Sequence, residues 1–309
     1  MARYLLVRFF GFIFVIVTVS FITFFLMWST PGGPFDESKM PLEGAAKANI
    51  LKKYGLDQPF YVQWFKYMVN AVQGDFGTSF QYQTPVKDLF LKFWPNSLLL
   101  GVLSLAWSFP VGIIIGVIAA LKRNTVIDYF ITTFALVTSS LPQFAVIFFA
   151  LAIFAVWLKV VPYGGWIDRT PDLKVLILPV LIFGMGTVGS LARYTRSGML
   201  DVLGQDYIRT ARAKGAKRSV VIFKHAMRNM LVPIVTIFLP TVTNILSGSI
   251  YVELGFVIPG VGRFFLLSIF ARDYPMIMAT VLIAATILSV TYLLTDVAYT
   301  LLDPRIRLA

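Results

Sequence analysis

The chain has 309 residues, a mean hydropathy of +0.78, only 14% charged residues and a formal net charge of +12. A soluble domain carries about 25% charged residues, so this chain lacks the polar surface a water-soluble fold needs and reads as a membrane protein. With no cysteine and one histidine, His225, disulfides and thiol chemistry are excluded, and a His-based metal centre, which needs several ligands, is disfavoured.

A spanning helix needs about 20 apolar residues. Six stretches free of Asp, Glu, Lys and Arg meet or approach that length: 9–35, 93–121, 129–158, 175–192, 229–252 and 274–295. The first, with the run FFGFIFVIVTVSFITFFLMW, is too long for a signal-peptide core and reads as a retained helix within 1–29. The fourth is short, and Arg193 and Arg196 extend it by snorkelling. Six spans put both termini on one side. With the N-terminus inside, segments 1–8, 122–128, 193–228 and 296–309 hold 15 of the 27 basic residues against five acids. The positive-inside bias thus predicts cytoplasmic termini and accounts for most of the net charge.

The long loop 30–92 is predicted to be extracytoplasmic and partly helical. MPLEGAAKANILKKYG reads as a short helix stopped by Gly55. In DQPFYVQWFKYMVNAVQGDFG, Asp57 reads as a cap and Pro59 as a first-turn residue. Phe60, Trp64, Tyr67, Met68 and Ala71 recur at helical spacing, an amphipathic face for the interface, for the bundle or for an external partner. Pro110, Pro142, Pro179, Pro233 and Pro240 fall inside four spans, tolerable where neighbouring helices satisfy the freed carbonyls. Gly112 and Gly116, then Gly184, Gly186, Gly189 and Ser190, and Ser247, Gly248 and Ser249 form small-residue faces for close packing. The loop GGWIDRTPDLK joins the third and fourth spans. Between the fifth and sixth, Glu253, Pro259, Gly260, Gly262 and Arg263 suggest a turn and short helix closing an outer gate. Glu253 is expected to pair with Arg263 or Arg272, and Asp296 with a basic residue of 193–228. Acids well inside the spans, the usual mark of ion-coupled transport, are scarce.

The basic segment 193–228 invites three readings: nucleic acid, lipid or a protein partner. No DNA-recognition motif or base-stacking aromatics accompany it. Ile208, Ala211 and Gly215 follow at i, i+3 and i+7, a small-residue face that a merely lipid-facing basic loop does not need. Such a face suits insertion into a groove of a partner.

Several segments resemble those of a known family. RTARAKG followed by HAMRN is similar to the coupling loop of ABC importer permeases, whose pattern is EAA, three residues, Gly, nine residues, I-x-L-P. YGLDQPFYVQWFKYM, GDFGTSF, FVIPGVGRF, RDYP and LLDPRIR resemble the peptide/nickel branch, and PGGPF, ANILKKY, SFQYQTPVKDL and GGW look most like the B-type subunit of oligopeptide permeases. The chain departs from the pattern at Arg209, which replaces the Glu, and at His225 to Arg228, which replace I-x-L-P; Asp206 is a candidate for the missing acid.

The resemblance implies an all-α, six-span type I importer permease, with its transmembrane domain over 93–302, a coupling loop at 193–228 and a cytoplasmic tail at 303–309. It implies a homologous second permease, two ATP-binding subunits, an extracytoplasmic peptide-binding protein and peptide as substrate. It places ATPase coupling at Asp206, Ile208, Arg209, Thr210, Ala211, Arg212, Lys214 and Gly215. Docking of the binding protein is assigned to Phe60, Trp64 and Tyr67. No GxxxxGK[ST] is present, so ATP and Mg belong to the partners and this chain needs no cofactor or metal of its own. Dipeptides, nickel and oligosaccharides are alternatives within the family. A secondary transporter or a membrane-embedded enzyme are alternatives outside it.

Overall fold

In lipid every backbone N–H and C=O must be satisfied within the protein, so apolar runs of spanning length become helices. The computed structural model of the chain describes residues 2–31, 55, 57–166, 172–246 and 248–302. Residues 40–54 of the expected helix, residues 167–171 of the loop between the third and fourth spans and the 303–309 tail lie outside the described residues, as do the side chains of Ser247 and Asp296.

The helices are α1 (Ala2–Ser29), α2 (Phe60–Val72), α3 (Val86–Leu121), α4 (Val126–Ser140), α5 (Gln143–Ala150), α6 (Leu173–Leu203), α7 (Asp206–Ala213), α8 (Met227–Leu246), α9 (Ile250–Gly255), α10 (Val261–Ala271) and α11 (Tyr274–Leu302). α5 continues as a π-helix, Leu151–Trp157, and a second π-helical stretch, Val221–Ala226, leads into α8. Among the described residues four helices are long and apolar enough to cross a membrane: Leu6–Ser29, Val86–Leu121, Leu173–Leu203 and Tyr274–Thr295. A fifth span is possible if the pair Val126–Ser140 and Gln143–Trp157, bent by 103°, crosses as one.

Two expected spans are therefore not single straight helices. The third breaks at Leu141–Pro142, where Leu141 is extended (ψ 133), the conformation that a following proline favours. Pro179 sits inside α6 without ending it, so position relative to the break, not proline itself, decides. The fifth, expected over 229–252, stops at Leu246, and Ser249 caps α9 separately.

The chain forms two compact units: residues 1–95, 259–290 and 308–309, and residues 96–258 and 291–307. In the first unit, α2 lies on α1. Phe60 packs on Phe21, Phe25 and Trp28; Trp64 meets Phe21 edge-on, and its Nε1 donates to Ser20 Oγ at 3.1 Å. Buried Asp273, just before α11, gathers the loop between α2 and α3. Its carboxylate accepts from Ser79 Oγ and from the backbone N–H of Phe80 (3.1 Å) and Gln81 (3.4 Å). The segments GDFGTSF and RDYP are thus two halves of one buried polar knot. Tyr67 closes it, donating to Pro275 O at 3.3 Å. Burial, with the charges of Asp75 and Asp273 adding to it, pushes the Tyr67 phenol up, so it remains a donor.

In the second unit α6 is the central post. A Cβ added to Gly116 of α3 would lie 2.6 Å from Ala192 O, and one added to Gly189 of α6 would lie 2.6 Å from Ala135 O of α4. Both glycines are needed because backbone meets backbone there, as the small-residue faces suggested. One apolar cluster includes Leu100, Ile147, Leu178, Ile182, Val252 and Ile258. A second joins Leu191, Met199, Ile208, Val221, Ala226 and Met230.

Candidate functional site

The segment expected to couple to an ATPase lies in the second unit and begins where α6 ends at Gly204. Gln205 takes the N-cap position of α7 without a side-chain bond, and Asp206 opens its first turn, where a negative charge complements the helix dipole. Ile208 is wholly buried in the second cluster, and Ala211 packs against it. Asp206, Arg209, Thr210 and Ala213 are all exposed, and their i, i+3, i+4, i+7 spacing makes them one opposite face. This corrects the expected polarity. The Ile208–Ala211 face does not face outward for a partner but bolts α7 to α6 and α8, because an isoleucine on a short helix is buried first against its own chain. The surface offered outward is the polar one.

Gly215 lies beyond the helix end, so it does not continue that face. Ala216 N–H donates to Ala211 O (3.1 Å) and Gly215 N–H to Arg212 O (2.9 Å), the two bonds of a Schellman cap. Gly215 has φ +78, and a Cβ added to it would meet nothing within 4 Å. Its role is conformational: it supplies the left-handed residue that stops α7. Lys214 is the cap residue, and Arg212 lies in the last turn, where basic charge suits the helix end. Arg209 and Asp206 approach to 3.4 Å, but with side chains 76% and 94% exposed the pair contributes little.

Two features of this region have no counterpart in the sequence reading. Asn229 Nδ2 donates to Tyr207 Oη at 2.8 Å and to His225 O at 3.0 Å, tying α7 to the start of α8. The QDYIRT and HAMRN segments are thus joined through their polar ends. Buried Asp128 at the start of α4 receives both arms of Arg196 of α6, Nε at 2.6 Å and Nη2 at 2.8 Å, with Asn124 N–H (2.9 Å) and Thr132 Oγ1 (3.3 Å) completing its shell. Arg196 is therefore a bidentate clamp rather than a snorkelling span extension. Only the signs of the two residues signalled this; their separation of 68 positions hid the pairing.

The expected outer-gate residues are helix starts. Gly260 precedes α10, Val261 and Gly262 are buried in its first turn, and Pro259 and Arg263 are half-buried, all in the first unit. Glu253, in the second unit, is wholly buried, and its Oε1 accepts from Ser249 N–H at 3.1 Å, while Ser249 Oγ accepts from Val252 N–H at 3.3 Å. This reciprocal arrangement resembles a capping box. Phe60, Trp64 and Tyr67 are half-buried against the first unit's own core, a correction to their assignment as a docking face: the rings satisfy themselves within the chain. The exposed side of α2 carries Tyr61, Phe65 and Val72.

Residues 1–101 match the family model described as the N-terminal membrane component of binding-protein-dependent transport systems, and residues 112–308 match the model for the inner membrane component of those systems. The chain is 39% identical to an oligopeptide transport system permease protein of Bacillus subtilis, over 99% of this chain and 100% of the relative. It is 40% identical to a dipeptide transport system permease protein of the same organism, over 100% of this chain and 99% of the relative. It is 36% identical to an oligopeptide permease protein of Haemophilus influenzae, over 96% and 95% of the two chains. These matches run the length of a chain whose described residues form apolar helices and an inward-bolted loop helix, and the chain accordingly belongs to the binding-protein-dependent transport system inner membrane components, the permeases of ABC importers.

Proposed function

We propose that this chain is one of two permease subunits through which an ATP-driven importer takes up oligopeptides. The observation that carries the reading is similarity to peptide permeases over nearly the whole length of both chains. Its partners are a homologous second permease, two ATP-binding subunits and an extracytoplasmic peptide-binding protein; nucleic acid is not among them. The chain is not itself an enzyme and holds no cofactor, ATP and Mg being bound by the ATPases. It has six spans, α8 supplying the remaining one: 20 residues reach about 30 Å, the thickness of the hydrocarbon core. Both termini are cytoplasmic, 30–92 is extracytoplasmic, and 93–302 is the permease domain.

Coupling enters through α7. Its exposed Asp206–Arg209–Thr210–Ala213 face meets the ATPase, while Ile208 and Ala211 pass the displacement to α6 and α8 through packed side chains. The start of α10, from Pro259 to Arg263, and capped Glu253 are assigned to outer gating. Binding-protein docking moves to the Tyr61–Phe65 side of α2. The dipeptide relative supports a second reading, in which shorter peptides are carried. Proteoliposomes with this chain and its four partners, loaded with ATP and offered defined di- to pentapeptides, test both. ATP-dependent accumulation of tetra- and pentapeptides supports the first, uptake confined to dipeptides the second, and uptake without ATP overturns both.

A further inference from the structure

The second unit holds a cavity of about 370 Å³ at the break between α4 and α5, walled by α3, α4, α5 and α6 with Thr241 of α8, a size in the range of small-ligand pockets. Among the described residues its lining contains no Asp, Glu, Lys, Arg or His. The polar groups are hydroxyls and one carboxamide, beside Phe109, Phe183 and two glycines. Several polar groups here are already engaged: Ser104 Oγ donates to Leu100 O (2.7 Å) and lies 3.1 Å from Val180 O, Trp107 Nε1 donates to Val180 O (3.0 Å), Thr138 Oγ1 donates to Phe134 O (2.9 Å), Ser139 Oγ donates to Leu136 O (3.2 Å), and Gln143 Oε1 accepts from Ser249 Oγ (3.4 Å). One turn further along α3, Ser108 is 1% exposed, and its Oγ has no hydrogen-bond partner. Buried polar groups are almost always paired, and leaving one unmade is costly. At the break, α5 starts after Pro142 with no side-chain cap on its first turn, so that backbone too has unclaimed donors.

We infer that this cavity is a peptide-bond-binding subsite, in which Ser108, Thr138, Ser139, Gln143, Thr187 and Ser190 hold the main chain of a passing peptide by uncharged hydrogen bonds. A secondary amide offers one N–H and one C=O. Ser108, Thr187 and Ser190 can donate and accept, Thr138 and Ser139 keep acceptor lone pairs, and the Gln143 carboxamide keeps its N–H donors, so together they serve the amide in either direction along the chain. Lacking charge, the site does not select acidic or basic side chains, and it recognises the group all peptides share. A helix broken beside a polar cavity is the form in which irregular backbone is tolerated at membrane depth. The inference rests on the peptide-import reading and adds a location and a chemistry to it.

The test uses the whole reconstituted importer. If the wild-type complex accumulates no peptide, the import reading itself fails, and the subsite is not what was disproved. With import established, Ser108→Ala raises the KM for tetra-alanine about five-fold, the value of one neutral hydrogen bond, with the maximal rate changed less than the KM. Thr187→Asp is compared with Thr187→Asn using tetrapeptides that carry one Lys or one Glu. The Asp variant favours the Lys peptide about ten-fold, as a single nearby charge would, and the Asn variant shows no preference. The ratio is read within one variant, so partial loss of folded complex cancels. Gly186→Leu fills the space and lowers uptake. Gly186 suits this because an added Cβ meets only Thr138 O, at 3.9 Å, whereas one at Gly184 would strike Trp107 Nε1 at 2.7 Å. An unchanged KM in Ser108→Ala together with equal charge preference in both Thr187 variants overturns the subsite and leaves the cavity a water pocket.

Discussion

Asp128 shows how much one residue carries. Its carboxylate accepts from both arms of Arg196, from Asn124 and from Thr132, so removing its charge strands a guanidinium whose side chain is only 28% exposed. Asp128→Asn is expected to cost about 2–3 kcal/mol, below the usual penalty for a fully buried pair, and to lower the melting temperature of the purified complex by several degrees. Asp128→Leu combined with Arg196→Leu recovers much of that loss, because neither charge is then left alone. Gly116 is the steric counterpart. Gly116→Val drives a side chain into the Ala192 carbonyl, and loss of assembled complex on size-exclusion chromatography is the expected result. Position 116 was legible as a packing glycine from its GxxxG spacing. The Asp128–Arg196 pair was not, since nothing in local spacing joins residues on different helices.

At the scale of elements, α7 is a short helix held by three devices: an apolar bolt, a polar tie and a glycine cap. Ile208→Ala removes the bolt and is expected to destabilise the segment by about 2–4 kcal/mol, read as loss of peptide-stimulated ATPase activity with basal turnover retained. Gly215→Val places a β-branched residue at a left-handed φ, at a cost of about 1–2 kcal/mol, and is expected to weaken coupling. Gly215→Asn, which tolerates that conformation, leaves coupling near wild type. The chain has no cysteine, so single cysteines report cleanly on orientation. Thr210→Cys and Ala213→Cys are expected to crosslink to an ATPase subunit, and Ile208→Cys to fail. The reverse pattern would restore the original assignment of the Ile208–Ala211 face. Helical spacing gave away that α7 has two faces. It did not say which is buried, because a small apolar face fits its own bundle as well as a partner's groove.

For the molecule as a whole, composition alone determined the class. With 14% charged residues and a +12 balance, the chain had to place its apolar runs in lipid, and backbone hydrogen bonding then made them helices. Motif spacing also placed the turn that ends α7, because Gly215 and the basic residues around it are set by local backbone and dipole requirements. The tertiary structure decided what depends on residues far apart in the chain. It broke the third span at Pro142 while leaving Pro179 within a helix, turned Phe60, Trp64 and Tyr67 inward onto α1, and joined Ser79 to Asp273 and Asp128 to Arg196. Propensity and periodicity act over a few residues, whereas burial and charge pairing are settled only when distant helices meet.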